Sequence, residues 1–393
     1  MLATETLTAA SVRGKGLNSG IAKWDTSTNS SSRTRPQIKE TFSSSEHVAF
    51  DPSKHLKYSP PSRTYTMKEL GYSDSRGVSP IGVSEPFSLF SEEAIKQMRA
   101  EVLSDRVWAH YQYSSNLAQC QLRGFAPECA PFVYDAWKSP DILAIISRIA
   151  EIDLVPVMDW EIGHINISLQ SEDEKSKALA EKSRRDSEED GLGCSWEDED
   201  PIVDWHTDSY PLVCVTMLSD CTNMIGGETA LRKGTGEIVK VRGPQMGSAV
   251  ILQGRYIEHR ALRALGMTER ISMVTSFRPR SSLAKDDTVL TTVRPISDLS
   301  ELYHQFAEYR FEILQDRFRR IEREIRDRKR ARRRFNTIDV KRFIREQIEF
   351  LQHMDKEIVE DDKVQRGVIQ DDSHLISEDL KKHSRKRPCS TLE

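Results

Sequence analysis

The stretch from Ile152 to Pro279 constrains the fold more than any other part of the chain. Short apolar runs recur there: LVPVM, IGHINISL, PLVCVTMLSD, GEIVKV, GSAVILQG and RISMVTSF. Several are rich in β-branched residues, and glycine or proline bounds most of them. Short runs punctuated in this way predict a sandwich or barrel of mostly antiparallel strands. Residues 171–200 interrupt the series with a strongly polar sequence, which reads as a surface insertion or a loop over a site rather than a strand.

The flanks read differently. Residues 1–75 are rich in Ser, Thr, Lys and Gly with little apolar periodicity, and are expected to be a disordered tail. Order is expected to begin near Ser79. Ser91 is placed to cap a helix in which Ile95, Met98 and Val102 recur at helical spacing. A second helix is expected over 139–150, with Ser139 as cap and Pro140 in the first turn. Past Pro295 the pattern turns helical again. Leu302, Phe306, Tyr309, Ile313, Leu314, Phe318, Ile321 and Ile325 trace one face. Val340, Phe343, Ile344, Ile348, Leu351 and Met354 trace another, with Thr337 as cap. These two helices form an expected hairpin over 296–358, packed on the barrel or serving as a homodimer element. Residues 359–393 are expected to be a second disordered tail, which leaves 76–295 as the main domain.

Composition excludes several classes. The chain is 37% apolar and 30% charged, as a normal core diluted by polar tails would be. Its net charge of −4 asks for neither nucleic acid nor membrane. No stretch approaches the roughly 18 apolar residues of a membrane span, and no secretory leader is evident. The six cysteines contain no CxxC pair, so neither a zinc ribbon nor a disulfide framework is expected. The expected setting is intracellular and reduced, in the cytoplasm. Two basic clusters stand out. The run at 326–334 reads as a solvated helix face beside Glu322, Glu324 and Asp327, and the run at 381–388 as a nuclear import signal.

The chemistry gathers at Asp204-Trp205-His206-Thr207-Asp208-Ser209-Tyr210. Alternate side chains of a strand share a face, so His206 and Asp208 can grip one ion. No histidine lies between Asp208 and His259, and His164 precedes the pair. His259, just after GSAVILQG, is therefore the best third ligand. Two imidazoles and a carboxylate on one face of an octahedron leave open positions, as at oxygen-activating Fe(II) sites. Arg270 and Ser272 alternate on the next run. A guanidinium takes a carboxylate in two parallel hydrogen bonds and a nearby hydroxyl adds a third. The implied ligand is a dicarboxylate whose other end chelates the metal. The alternative at His206 and Asp208 is a surface pair, and at His259 a polar loop.

This HTD…H…RIS arrangement resembles the HxD…H…RxS pattern of the Fe(II)/2-oxoglutarate-dependent dioxygenases, over roughly residues 152–280. Gly226-Gly227-Glu228-Thr229 is similar to the glycine turn those enzymes carry between the two histidines. The resemblance implies a mainly β fold with flanking helices: a double-stranded β-helix, or jelly roll, plus the C-terminal helical hairpin. It implies His206, Asp208 and His259 as ligands of Fe(II), and Arg270 with Ser272 on the distal carboxylate of 2-oxoglutarate, with O2 as oxidant. Asn166 can also face 2-oxoglutarate, and Arg278 is the rival of Arg270, placed either to line the same pocket or to end the strand at the rim. Trp205 is expected to pack in the core and Tyr210 to shape the substrate pocket. The implied activity is oxidation, by default hydroxylation, of a C–H bond in a small-molecule substrate. Nucleic acid and membrane are not expected as partners. The alternatives are an oxygenase acting on protein or nucleic acid, and a catalytically silent jelly roll that binds a partner.

Overall fold

The computed structural model describes residues 48–73, 75–187, 202–222, 224–243 and 245–369. Eight strands build the core: β1 (His164–Leu169), β2 (Val203–His206), β3 (Leu212–Met217), β4 (Thr229–Arg232), β5 (Ile238–Val241), β6 (Ser248–Leu252), β7 (His259–Ala261) and β8 (Glu269–Pro279). They fall into two sheets. The larger runs β6-β3-β8-β1, the smaller β5-β4-β7-β2. Every pairing between these strands is antiparallel. Apart from the β4–β5 hairpin, each successive strand changes sheet, so the chain winds as a double-stranded β-helix, the jelly roll expected.

Strand β8 is the hub, pairing with β1 on one side and β3 on the other. Its alternation explains both of its faces. Ile271, Met273, Thr275 and Phe277 are fully buried on the outer side. Arg270, Ser272, Val274 and Ser276 line a cavity between the sheets. A sheet buried on both faces needs a covering layer, which α1 (Glu92–Val102), α2 (Pro131–Lys138) and α3 (Pro140–Ala150) supply. Ser91 caps α1 as expected, accepting from the Ala94 amide. Trp137 of α2 is fully buried and meets Phe90 and Phe277 edge-on, at ring separations of 5.6 and 6.0 Å.

Four expectations need correction. The N-terminal tail does not extend to residue 75: Thr64–Thr66 pairs with Ile81–Ser84 at the edge of the larger sheet. Met67, Leu70 and Tyr72 are buried against Val83, Val213, Leu231 and Leu252, closing one end of the barrel. The expectation for residues 1–47 lies outside the described residues. The polar insertion opens with a helix, α4 (Glu172–Ser187). Ser171 starts it with a capping box: its hydroxyl accepts from the Glu174 amide, and the Glu174 carboxylate accepts from the Ser171 amide at 2.7 Å. Residues 188–200 lie outside the described set. The chain is also placed beyond 359, as far as Ile369, while 370–393 lie outside.

The hairpin, α5 (Leu299–Arg330) and α6 (Thr337–Glu357), also differs from the one expected. Its cap is Asn336, whose side chain accepts from the Asp339 amide; Thr337 is the first helical residue. Helix α5 buries Leu302, Phe306, Tyr309, Ile313 and Leu314 with Trp160, Tyr210, Phe350 and Met354. Phe318 is half exposed, and so are Ile344 and Ile348 of α6. The buried face of α6 is Gln347, Phe350, Met354 and Glu357 instead. Buried ion pairs rotate the interface away from the apolar stripe: Arg310 with Asp286 at 3.4 Å, and Arg294 with Glu357 at 3.0 Å.

Candidate metal centre

Strands β2 and β7 are neighbours in the smaller sheet, and their register sets His206 directly opposite His259. The imidazole centroids lie 4.4 Å apart. Asp208 follows β2 and its amide donates to the Gly254 carbonyl at 2.9 Å, tying it to the loop after β6. The Nε2 of His206 is 3.5 Å from Asp208 Oδ1, and the Nε2 of His259 is 3.6 Å from Oδ2. One donor atom from each of the three residues lies within 4.8 Å of the others. The structure thus brings together the three residues expected as metal ligands.

Each imidazole is oriented from behind. The Nδ1 of His206 is 2.6 Å from the Asp204 carbonyl, and that of His259 is 2.9 Å from the Ile257 carbonyl. A carbonyl only accepts, so each Nδ1 carries a proton and each Nε2 presents a lone pair to the centre. Burial pulls the His259 pKa down to about 4, against the pull of the Asp208 charge. At His206 burial also lowers the pKa, but the Asp208 hydrogen bond and charge outweigh it and leave the ring above its usual value. Burial raises the Asp208 pKa, and the two imidazoles more than reverse that. The buried Oδ2 of Asp208 accepts no hydrogen bond among the described residues. Carboxylate and imidazoles are together a donor set for a divalent transition metal.

Beyond the triad the cavity measures about 160 Å³. Arg270, only 6% exposed, reaches into it from β8. Burial lowers its pKa. No carboxylate pairs with Arg270, and no hydrogen bond holds its side chain, among the described residues. Ser272 lines the cavity two residues on, and in the sheet Asn166 of β1 stands opposite it. The Asn166 carboxamide oxygen already accepts from Gln121 at 3.2 Å and lies 3.2 Å from His164 Nε2. What Asn166 has left to offer the cavity is N–H donors.

Arg278 is not part of this site. It lies at the far end of β8 opposite Val155, and its guanidinium stacks over the Tyr309 ring, 4.8 Å from the centroid. Helix α5 covers that end of the strand, which the alternation of β8 alone does not reveal. Trp205 is not core either: it is half-buried, with Arg232 and Arg260 stacked over its ring at 4.7 and 4.9 Å. Tyr210 does line the cavity, and its hydroxyl donates to Glu161 at 2.8 Å. No pattern in the sequence points to the group around it. Glu161 forms a buried ion pair with Arg123, and Arg123 donates to His164 Nδ1 at 2.6 Å. His164 is therefore neutral, its pKa pushed down to about 3 by burial and by the Arg123 charge. Arg123 and Glu161 are far apart in the chain and belong to no local pattern, so only the fold pairs them.

No family model matches the chain, and no curated protein matches it. Among solved structures it is similar to the non-heme alpha ketoglutarate dependent epimerase SnoN from nogalamycin biosynthesis, at 14% identity and a TM-score of 0.35 over 53% of this chain and 80% of that one. It is similar to AviO1 from Streptomyces viridochromogenes Tue57, at 14% identity and 0.33 over 52% and 91%. It is similar also to a prolyl-4-hydroxylase from Pseudomonas putida, at 14% identity and 0.29 over 56% and 98%. Fold and site in this chain together define a class: a double-stranded β-helix carrying a two-histidine, one-carboxylate metal centre at the mouth of an internal cavity.

Proposed function

We propose that the chain is a non-haem Fe(II), 2-oxoglutarate-dependent oxygenase acting on a C–H bond of a small molecule. One observation carries the co-substrate: a buried guanidinium, Arg270, stands without an anionic partner among the described residues in the cavity that the metal triad opens onto. A buried unpaired cation is costly, and an anionic ligand that brings its own charge removes that cost. Arg270, helped by the Ser272 hydroxyl, would hold one carboxylate of 2-oxoglutarate, and the keto acid end would be left for the His206, Asp208 and His259 end of the cavity. Ferrous iron held there would supply oxygen activation, coupled to decarboxylation of 2-oxoglutarate to succinate and carbon dioxide.

The remaining residues orient and exclude. The backbone carbonyls of Asp204 and Ile257 hold the two rings in the ligating tautomer. Val213, Val215, Val250 and Val274 line the interior with apolar surface, which keeps water from the reacting groups. Leu117, Ile296 and Ile369 line the cavity as well. An apolar enclosure of this size favours a small organic substrate over a folded macromolecule.

The experiment is anaerobic titration of the purified protein with Fe(II) and then 2-oxoglutarate, followed by visible absorbance, with succinate measured after oxygen is admitted. Parent protein is expected to develop the metal-to-ligand absorption band of a chelated keto acid. Arg270→Ala is expected to weaken 2-oxoglutarate binding by at least about tenfold, the worth of a charge-assisted hydrogen bond. Equal affinity in parent and variant removes Arg270 from the reading, and no band in the parent removes the oxygenase.

A further inference from the structure

The far end of the hairpin carries a feature that the metal centre does not use. The last core residue of α5 is Leu314. From there to Arg330 the helix runs on for roughly 24 Å, at 1.5 Å per residue. Its end and the following turn hold the basic run. Arg320, Arg326 and Arg330 are paired with Glu324, Glu322 and Asp327. Arg328 donates to the Arg334 carbonyl. Lys329, Arg332, Arg333 and Arg334 have no carboxylate partner among the described residues. Beside them stand the two most exposed large apolar side chains of the described residues, Ile338 at 78% and Phe335 at 60%. A groove between the helix ends is lined by Ile321, Ile325, Val340, Arg328, Lys329 and Arg332, and by the carboxylates of Glu324 and Asp339, which are paired with Arg320 and Arg342.

We propose that this tip is a docking surface for an anionic lipid bilayer. The charge is complementary to phosphate headgroups, and guanidinium forks match phosphate oxygens. The apolar pair decides between polyanions. Nucleic acid gives an exposed isoleucine nothing to stack on, whereas the headgroup–acyl boundary takes Phe335 and Ile338 together with the surrounding arginines. No described helix is long and apolar enough to cross a membrane, and docking of a helix tip needs none. The tip lies at the opposite end of α5 from Val293 and Ile296, which line the cavity, so the proposal stands independently of the oxygenase reading.

The test is co-sedimentation of the full chain with phosphatidylcholine vesicles, with and without phosphatidylserine, at low and high salt. Binding is expected only with phosphatidylserine, and salt is expected to weaken it. Combined Arg332→Ala, Arg333→Ala and Arg334→Ala substitution is expected to weaken binding about a hundredfold, at roughly fivefold per charge near the surface. Combined Phe335→Ser and Ile338→Ser leaves the charge unchanged and is expected to cost about tenfold through lost apolar burial. Circular dichroism matching the parent shows that each variant is folded. Parent protein that ignores phosphatidylserine overturns the proposal, as does an arginine variant that binds like the parent. An oligonucleotide bound equally well by parent and apolar variant, with vesicle binding unchanged in that variant, assigns the tip to nucleic acid and likewise overturns it.

Discussion

A ligand side chain is only as well placed as the backbone behind it allows. At Asp208 that backbone is Gly254, which follows β6. A Cβ at position 254 would lie 1.7 Å from Asp208 Oδ2 and 2.6 Å from its carboxyl carbon. The approach is from backbone that cannot retreat without dragging the Asp208 amide, which donates to the Gly254 carbonyl. Gly254→Ala is therefore expected to turn the carboxylate out of the triad and weaken metal affinity by about 10–100-fold, as loss of a supporting contact at a metal site does. Competition with a metallochromic chelator measures this, and unchanged affinity removes Gly254 from the support of the site. The two buried arginines show which site residues the sequence reveals. Arg270 was legible because Ser272 accompanies it at strand spacing just after His259. Arg123 was not, because its partner Glu161 approaches only when β1 and Gln121–Leu122 pair.

Elements were legible in kind more than in placement. Periodicity marks α5 and α6, and the Ser91 cap of α1 is plain in the sequence. The apolar stripe of α6 does not mark its buried face, because the contact with the core is organised by a carboxylate. Glu357 is 2% exposed; it accepts from the Leu290 amide at 2.7 Å and from Arg294 at 3.0 Å. A periodicity reading scores such a residue as solvent-facing. Glu357→Ala leaves a buried amide and a guanidinium without their acceptor, which costs about 3 kcal/mol of stability. Glu357→Gln keeps an acceptor and is expected to lose about half as much. Urea unfolding midpoints measure both, and a midpoint for Glu357→Ala equal to the parent's shows that the carboxylate does not hold the hairpin. The capping box at Ser171 and Glu174 was present in the sequence but lay inside a segment read by its polarity alone.

For the whole molecule, the jelly roll could be read because its strands are short, apolar and punctuated. The segments that seal it could not, because they gain their structure from partners far along the chain. Residues 366–369 are the clearest case. Gly367 donates to the Pro295 carbonyl at 3.0 Å and accepts from the Asn116 amide at 3.1 Å. The Asn116 side chain accepts from the Ile369 amide at 2.8 Å and donates to its carbonyl at 3.1 Å. Ile369 lines the cavity with Leu117 and Ile296, so three distant segments meet at one wall. Among the described residues no hydrogen bond or ion pair joins residues 366–369 to His206, Asp208 or His259, and Arg270 lies within the barrel on β8. A chain ending at Gln365, compared with one ending at Ile369, is therefore expected to bind Fe(II) and 2-oxoglutarate with the same affinity. Opening that wall is expected to raise succinate formation in the absence of substrate severalfold in the shorter chain, because O2 reaches the centre more freely and added ascorbate supplies the two electrons that no substrate provides. Parallel titrations and succinate assays separate the two effects: equal succinate formation by the two chains shows the strap to be a fastening for the hairpin alone, and a loss of metal affinity shows that it supports the barrel itself.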